Sequence, residues 1–291
     1  QTGRRINDLF DLMVGTCTGA LQTVLLTTPG KDGQPKFTAK ELLDIYNTDE
    51  KKLFYHPWYH RLLTLNGVIG PKYQTTARYA LFQKCLDGLY FDQLLNNVVI
   101  PAYDVRSQNP MLFLNWNQPG REDTNFELAS LLMGAVSPPG VFPSVIFGLH
   151  GKRLVLVDGT LFADNPSIVA VLLAMSIYPN KKYILVTLGT GVTEETPHLT
   201  TEVLNWGELQ WSKQLLPTIY KSNAKFNTML VQKMFPVPLD LYYFNTRVSA
   251  FDTQLDNVSQ WNIERLNRYG KQMVVENQER LAELASRLVQ P

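Results

Sequence analysis

Two short stretches of this chain, Leu154-Val155-Leu156-Val157 and Tyr183–Leu188, are apolar at almost every position. A strand with one wet face alternates polar and apolar residues, so runs of this kind belong to strands covered on both faces. Helical patterns alternate with them. Thr18–Thr28 is stopped by Pro29-Gly30. Thr38 opens a second helix carrying Leu42, Leu43, Ile45 and Tyr46, with Glu41 completing a capping box. Tyr73–Leu89, Phe126–Val136 and the segment from Asn165-Pro166-Ser167 to Met175 follow, and a C-terminal helix begins near Asn262, with Leu266, Tyr269, Met273, Leu281, Leu284 and Leu288 at helical spacing. Phe10–Val14, Asn97–Tyr103 and Pro110–Trp116 read as further strands, the last two linked at Ser107-Gln108-Asn109. The expectation is an α/β fold with a mainly parallel or mixed sheet between helical layers. The 291 residues suffice for one large domain or two small ones. Without repeats, low-complexity tracts or a linker, a single domain over residues 1–291 is expected.

Composition narrows the function. With 27 basic and 26 acidic residues the net charge is +1, which gives no reason to expect nucleic acid, and no polybasic run marks a membrane tether. Apolar runs fall well short of the ~20 residues of a bilayer span, and no signal peptide is visible. Cys17 and Cys85 are too few for a disulfide scaffold and suit a reducing compartment, cytoplasmic or at a peripheral membrane surface. The start at Gln-Thr-Gly rather than Met reads as a trimmed terminus.

Gly15-Thr16-Cys17-Thr18-Gly19 follows a strand and opens a helix. Such an elbow holds its central residue in a strained conformation and stands the side chain above the sheet edge. The helix N-terminus favours a thiolate or a developing oxyanion there, and the Thr18 N–H is the natural first donor. The alternative is a structural junction with a small packed cysteine. Further on, Leu154–Val157 ends in Asp158-Gly159-Thr160. A carboxylate at the end of a core strand needs a partner, and the C-terminal edge of a parallel sheet is where α/β enzymes do their chemistry. Asp158 holding a turn is the plainer alternative.

Together these motifs resemble the patatin-like phospholipases. That family's elbow, Gly-x-Ser-x-Gly within a phrase like FDLIAGTSTG, is matched by Phe10–Gly19, and its Asp-Gly-Gly or Asp-Gly-Ala followed by Asn-Pro is matched by Asp158-Gly159-Thr160 and Asn165-Pro166. GPKY at 70–73, LFQKCLDGLYFDQLLNNVVIPAYDV at 81–105, Ser137-Pro138-Pro139 and ILVTLGTG at 184–191 follow the family in order. The resemblance implies a three-layer α/β/α fold and a lipid acyl hydrolase of phospholipase A or lysophospholipase type. It places Cys17 in the nucleophile position and Asp158 in the position of the base, with Gly15, Thr18 and Gly19 building the elbow and oxyanion site and Gly159 supporting the aspartate. It requires no histidine, metal or other cofactor. Its partners are phospholipids or other polar acyl lipids at a membrane surface.

The chain departs from the family in three places. Cysteine replaces serine, and a neighbouring carboxylate disfavours a thiolate. Cys17 is therefore open to reading as a native nucleophile, a weakened one, or a deliberate replacement that disarms the enzyme, and the alternative to a hydrolase is a catalytically silent relative that binds lipid or a protein partner. Thr160 replaces a small residue, and its β-branch restricts the turn. The family's glycine-rich anion loop is not among these residues, so an N-terminal segment carrying it is expected in the natural protein.

Other candidates carry less. Cys17, Asp158 and His198 run in the order of an α/β-hydrolase triad, with an exposed loop histidine as the alternative. His56 and His60 lack a third metal ligand. Phe54, Tyr55, Trp58 and Tyr59 suit either core packing or a membrane interface. Gly189-Thr190-Gly191 is a weak phosphate-loop signal that the resemblance makes a structural turn. By the same resemblance Pro138–Phe147 borders an acyl channel; Lys72, Arg106 and Arg121 are either plain solvated surface charges or cations that steer phosphate headgroups.

Overall fold

A computed structural model of the chain describes residues 2–54, 57–117, 125–193, 203–235 and 238–289. They form two compact units, one from Arg4 to Ile177 and one from Tyr178 onward together with residues 2 and 3.

The first unit is built on a five-stranded sheet. Strand β1 (Leu12–Val14) leads through the elbow into α1 (Thr18–Thr27), followed by α2 (Ala39–Leu53), α3 (Trp58–Leu63) and α4 (Thr76–Leu86). Then come β2 (Asn97–Asp104), β3 (Asn109–Leu114), α5 (Leu128–Ala135), β4 (Val145–Leu149), β5 (Lys152–Asp158), α6 (Thr160–Ala163) and α7 (Ser167–Ile177). The capping box at α2 forms as expected: the Thr38 N–H donates to Glu41 Oε2 at 2.8 Å, and the Glu41 N–H donates to Thr38 Oγ1 at 3.1 Å.

Central strand β2 is buried almost throughout, which explains the apolar run at Val98–Ile100. One edge pairs antiparallel with β3; the other pairs parallel with β1 in its first half and antiparallel with β5 in its second. Strand β4 closes the sheet against β5. The sheet is therefore mixed, as one of the two sequence-based alternatives has it. Its antiparallel pairs arise from tight connections: Gln108 (φ 56°) turns β2 into β3, and His150 (φ 50°) with Gly151 (φ 73°) turns β4 into β5. Only longer crossovers return a strand parallel to its neighbour. Helices α1 and α5 bury Leu21, Val24, Leu25, Leu128, Leu131 and Leu132 in one core with Val98, Ile100 and Leu156. Phe113, Phe126 and Phe147 pack edge-to-face within it, with ring centroids 5.3–5.8 Å apart.

In the second unit β6 (Tyr183–Leu188) pairs parallel with β8 (Leu239–Phe244), and β7 (Val192–Thr193) with β9 (Arg247–Val248). Helix α8 spans Glu208–Lys233 with Pro217 inside it. The expected C-terminal helix is two helices, α9 (Gln260–Glu276) and α10 (Gln278–Leu288). They break at Asn277, whose side-chain amide donates to Met273 O at 2.9 Å, a local bond that competes with the helix ladder. Gly189 and Gly191 make a structural turn: their N–H groups donate to Phe244 O and Asn245 Oδ1, each at 2.8 Å.

Candidate active site

Strand β1 is short, and the Gly15 N–H is still bound to Val99 O at the sheet edge when the chain turns. Cys17 then takes φ 55°, ψ −123°, a conformation an L-residue adopts only under constraint. Helix α1 starts at once, with the Ala20 N–H donating to Cys17 O at 2.9 Å. Gly15 makes the crossing possible, since a Cβ there would lie 2.1 Å from Gly19 O. Gly19 is different: a Cβ at that position meets nothing within 4 Å. The Thr18 N–H, at the first helical position, is taken by no backbone carbonyl among the described residues. Strand β1, the turn at Cys17 and helix α1 thus follow one another directly.

Asp158 ends β5 and is fully buried. Its own N–H donates to Ser137 O at 3.1 Å, and Oδ1 accepts the Thr160 N–H at 2.9 Å. Thr160 thus holds the carboxylate instead of displacing it. Gly159 permits a close approach, because a Cβ there would come within 2.5 Å of Pro101 O on β2. The two loops are tied directly, with Thr16 Oγ1 donating to Ala163 O at 2.7 Å.

The tie sets Cys17 and Asp158 side by side. Burial pushes the Cys17 thiol well above its ordinary range, and the Asp158 charge pushes it further; the neighbouring Thr18 groups, with Oγ1 4.0 Å from Sγ, pull the other way and lose. Burial also pushes Asp158 up to about 6, against the pull of the Cys17 thiol and Thr160. The thiol lowers the carboxyl as a hydrogen-bonding neighbour does and the carboxylate raises the thiol, yet Asp158 Oδ2 is buried with no partner at ordinary hydrogen-bond geometry.

A second buried carboxylate shows what a structural role looks like here. Asp104 Oδ1 accepts the Val155 N–H at 2.7 Å and the Arg106 N–H, while Oδ2 accepts the Ser107 hydroxyl and N–H. These donors hold it below the usual range in spite of burial, which alone would raise it. Of these two aspartates only Asp158 keeps an oxygen free, at the cost such a group carries in a core.

Arg78, which the sequence analysis did not single out, lies beneath this pair. It is almost fully buried in α4 and donates to Val136 O, to Met133 O at 3.0 Å and to Ser137 Oγ at 2.8 Å, with its guanidinium 4.1 Å from the Phe142 ring centroid. Burial lowers it to about 10, while the charges of Cys17 and Asp158 work to raise it. Arg78 therefore braces the segment whose Ser137 carbonyl holds the Asp158 backbone. Its spacing to buried Phe82 and Cys85, four and seven residues on, is the signal that places it on the inner face.

The other candidates do not join this group. His56, His198 and Arg121 lie outside the described residues. His60 Nε2 sits 3.1 Å from Pro71 O, and Arg106 binds Arg153 O on the outer hairpin. Within 138–147, Phe142 and Phe147 are packed in the interior while Ile146 is exposed. Phe54 packs on Tyr73 and Phe142, whereas Trp58 and Tyr59 face outward; Tyr55 is not described. Among the described residues no three His, Cys, Asp or Glu side chains stand together as a metal site, and no helix is long and apolar enough to cross a membrane.

The sequence model of the patatin-like phospholipases matches residues 2–183, which take in the elbow, the buried aspartate and the whole five-stranded sheet. The chain belongs to that family. Its fold is accordingly of the three-layer α/β/α class, with a mixed sheet and flanking helices, and membership supports lipid acyl hydrolysis at the level of the family. Similar relatives include Patatin-like protein 4 of Arabidopsis thaliana, 29% identical across 72% of this chain and 56% of the relative. Patatin-like protein 2 of Oryza sativa subsp. indica is 25% identical across 95% and 76%. A Solanum tuberosum protein named Probable inactive patatin-3-Kuras 1 is 25% identical across 87% and 68%. The chain spans a little over half the length of the Arabidopsis relatives it matches.

Proposed function

We propose that this patatin-like chain is a lipid acyl hydrolase of phospholipase A or lysophospholipase type, acting through residue 17 and Asp158 on polar lipids at a membrane surface, and that cysteine at position 17 weakens it. One observation carries the reading: a side chain forced into positive φ at a strand–helix elbow lies beside a buried carboxylate with a free oxygen.

In the reaction the side chain of residue 17 attacks the ester carbonyl and passes its proton to Asp158. The oxyanion forms over the Thr18 N–H at the start of α1. Collapse of the tetrahedral adduct breaks the bond to the alcohol, which leaves with the proton from Asp158. Water then attacks the acyl-enzyme, again giving its proton to Asp158, and the fatty acid departs as residue 17 is restored. At neutral pH an aspartate that titrates near 6 is largely ionised and can take a proton.

Cysteine gains little from this arrangement. Sulfur attacks as the thiolate, and burial with the Asp158 charge opposes its formation. An alcohol needs no prior ionisation, because the carboxylate accepts its proton during attack. The test is hydrolysis of lysophospholipid and short-chain esters by the chain with Cys17 and with Cys17→Ser. Serine should exceed cysteine by at least about tenfold, given that a matched base contributes ~10²–10⁴ in rate. Equal rates would make Cys17 a fully competent nucleophile. No turnover in either form, even with the N-terminal anion-loop segment restored, would favour a silent lipid-binding relative, the reading to which Probable inactive patatin-3-Kuras 1 lends its name.

A further inference from the structure

Helix α3 and the turn after it present an apolar surface that nothing in the active-site chemistry uses. Trp58, Leu63 and Val68 are 78%, 71% and 80% exposed, and Tyr59, Leu62, Leu65 and Ile69 are exposed with them. Scattered apolar residues on a surface need no explanation, but seven large ones within 12 positions do. They do not dangle on a loose loop. Buried Thr64 gathers the turn, its carbonyl accepting the N–H groups of Gly67, Val68 and Ile69 at 3.0–3.1 Å while its hydroxyl donates to His60 O at 2.9 Å. The next residues tie the segment to the site: Lys72 and Tyr73 donate backbone N–H groups to Gly140 O and Val141 O, and the Ser137 carbonyl of the same connection holds Asp158.

Charge identifies the occupant. From residue 51 to residue 86 the sequence contains no Asp or Glu but six Lys and Arg, one of them the buried Arg78, whereas the whole chain is balanced at +1. Exposed Arg61 stands within the apolar cluster itself. Indole and phenol rings among aliphatic side chains, in a segment whose charged residues are all cationic, complement the boundary between acyl chains and anionic headgroups. We propose that α3 and the 64–69 turn form the surface by which this protein docks on anionic lipid bilayers. The inference deepens the hydrolase reading and rests on it for the choice of a lipid rather than a protein partner.

The experiment is flotation of the whole chain with vesicles of phosphatidylcholine alone and with phosphatidylserine added. Binding should be tighter to the anionic vesicles. Replacing Trp58, Leu62 and Val68 together by Ser should weaken it at least about tenfold, and Arg61→Glu should cost roughly tenfold on anionic vesicles only. Thermal melts check that both variants fold. Unchanged binding in the folded triple variant overturns the proposal, as does sedimentation showing that this face joins two copies of the chain. Brominated lipid provides a second readout, quenching a component of the tryptophan emission that disappears in Trp58→Phe. Turnover of a soluble short-chain ester by the Cys17→Ser chain, measured alongside, reports on the hydrolase reading alone, so either idea can fail while the other stands.

Discussion

A buried aspartate with an unpaired oxygen is a standing cost to the fold, and Asp158 carries that cost in a pH-dependent way. Its folded-state value of about 6 lies above the ordinary carboxylate range, so folding favours the protonated form. The sign follows: Asp158 does not oppose folding below about pH 4, its penalty grows between about pH 4 and 6, and above 6 it stays at full size. Asp158→Asn keeps an acceptor for the Thr160 N–H and removes the charge. It should leave stability at pH 4 unchanged and raise it above pH 6 by roughly 1–3 kcal/mol, read from urea unfolding at the two pH values. The same variant should lose roughly 10²–10⁴ in turnover. In the Cys17→Ser chain with Asp158 intact, the rate should fall as pH drops through about 6, because the base must be ionised to accept a proton. A stability gain paired with an activity loss is the pattern of a group kept for chemistry.

At the scale of elements, the two elbow glycines separate into different roles. Gly15→Ala drives a methyl group into Gly19 O, and the neighbours are backbone with nowhere to go, so a loss of at least about 2 kcal/mol is expected in urea unfolding. Gly19→Ala meets open space inside α1, where alanine is better than glycine by ~1 kcal/mol, so stability should hold or rise. The sequence motif treats these positions alike, and only the crossing of β1 over α1 tells them apart. Much of the surrounding architecture was legible for local reasons: the apolar run of β2, the capping box at Thr38, and the turn at Gln108 each declare themselves within a few residues. Strand β4 did not, because Gly148 interrupts it and Ile146 faces outward. Helix α8 hid behind Pro217, a residue that ordinarily ends a helix. The pairing of Cys17 with Asp158, 141 residues apart, was legible only through the order of family motifs, and Arg78 beneath them reads as surface charge until its spacing to Phe82 is counted.

For the whole molecule, charge balance bears on the proposed docking to a lipid surface. With the region from 51 to 86 set aside, the remaining chain is acidic on balance, 21 basic against 26 acidic residues, so the molecule as a whole has no long-range attraction to an anionic surface. The docking proposed above then rests on apolar insertion by α3 together with a few local cations. The two contributions respond oppositely to salt: screening weakens the ionic part within a Debye length of ~8 Å at physiological ionic strength, while apolar burial persists. Raising sodium chloride from about 0.1 M to about 1 M, where that length falls to ~3 Å, should reduce affinity for anionic vesicles to nearly the level found with neutral ones, and no further. Arg61→Glu should already sit near that floor at low salt, and the triple serine variant should fall below it at every salt concentration. Vesicle flotation across the salt series measures both. Complete release at high salt would mean that charge alone holds the protein to the bilayer, and the exposed tryptophan and leucines of α3 would then need a different partner.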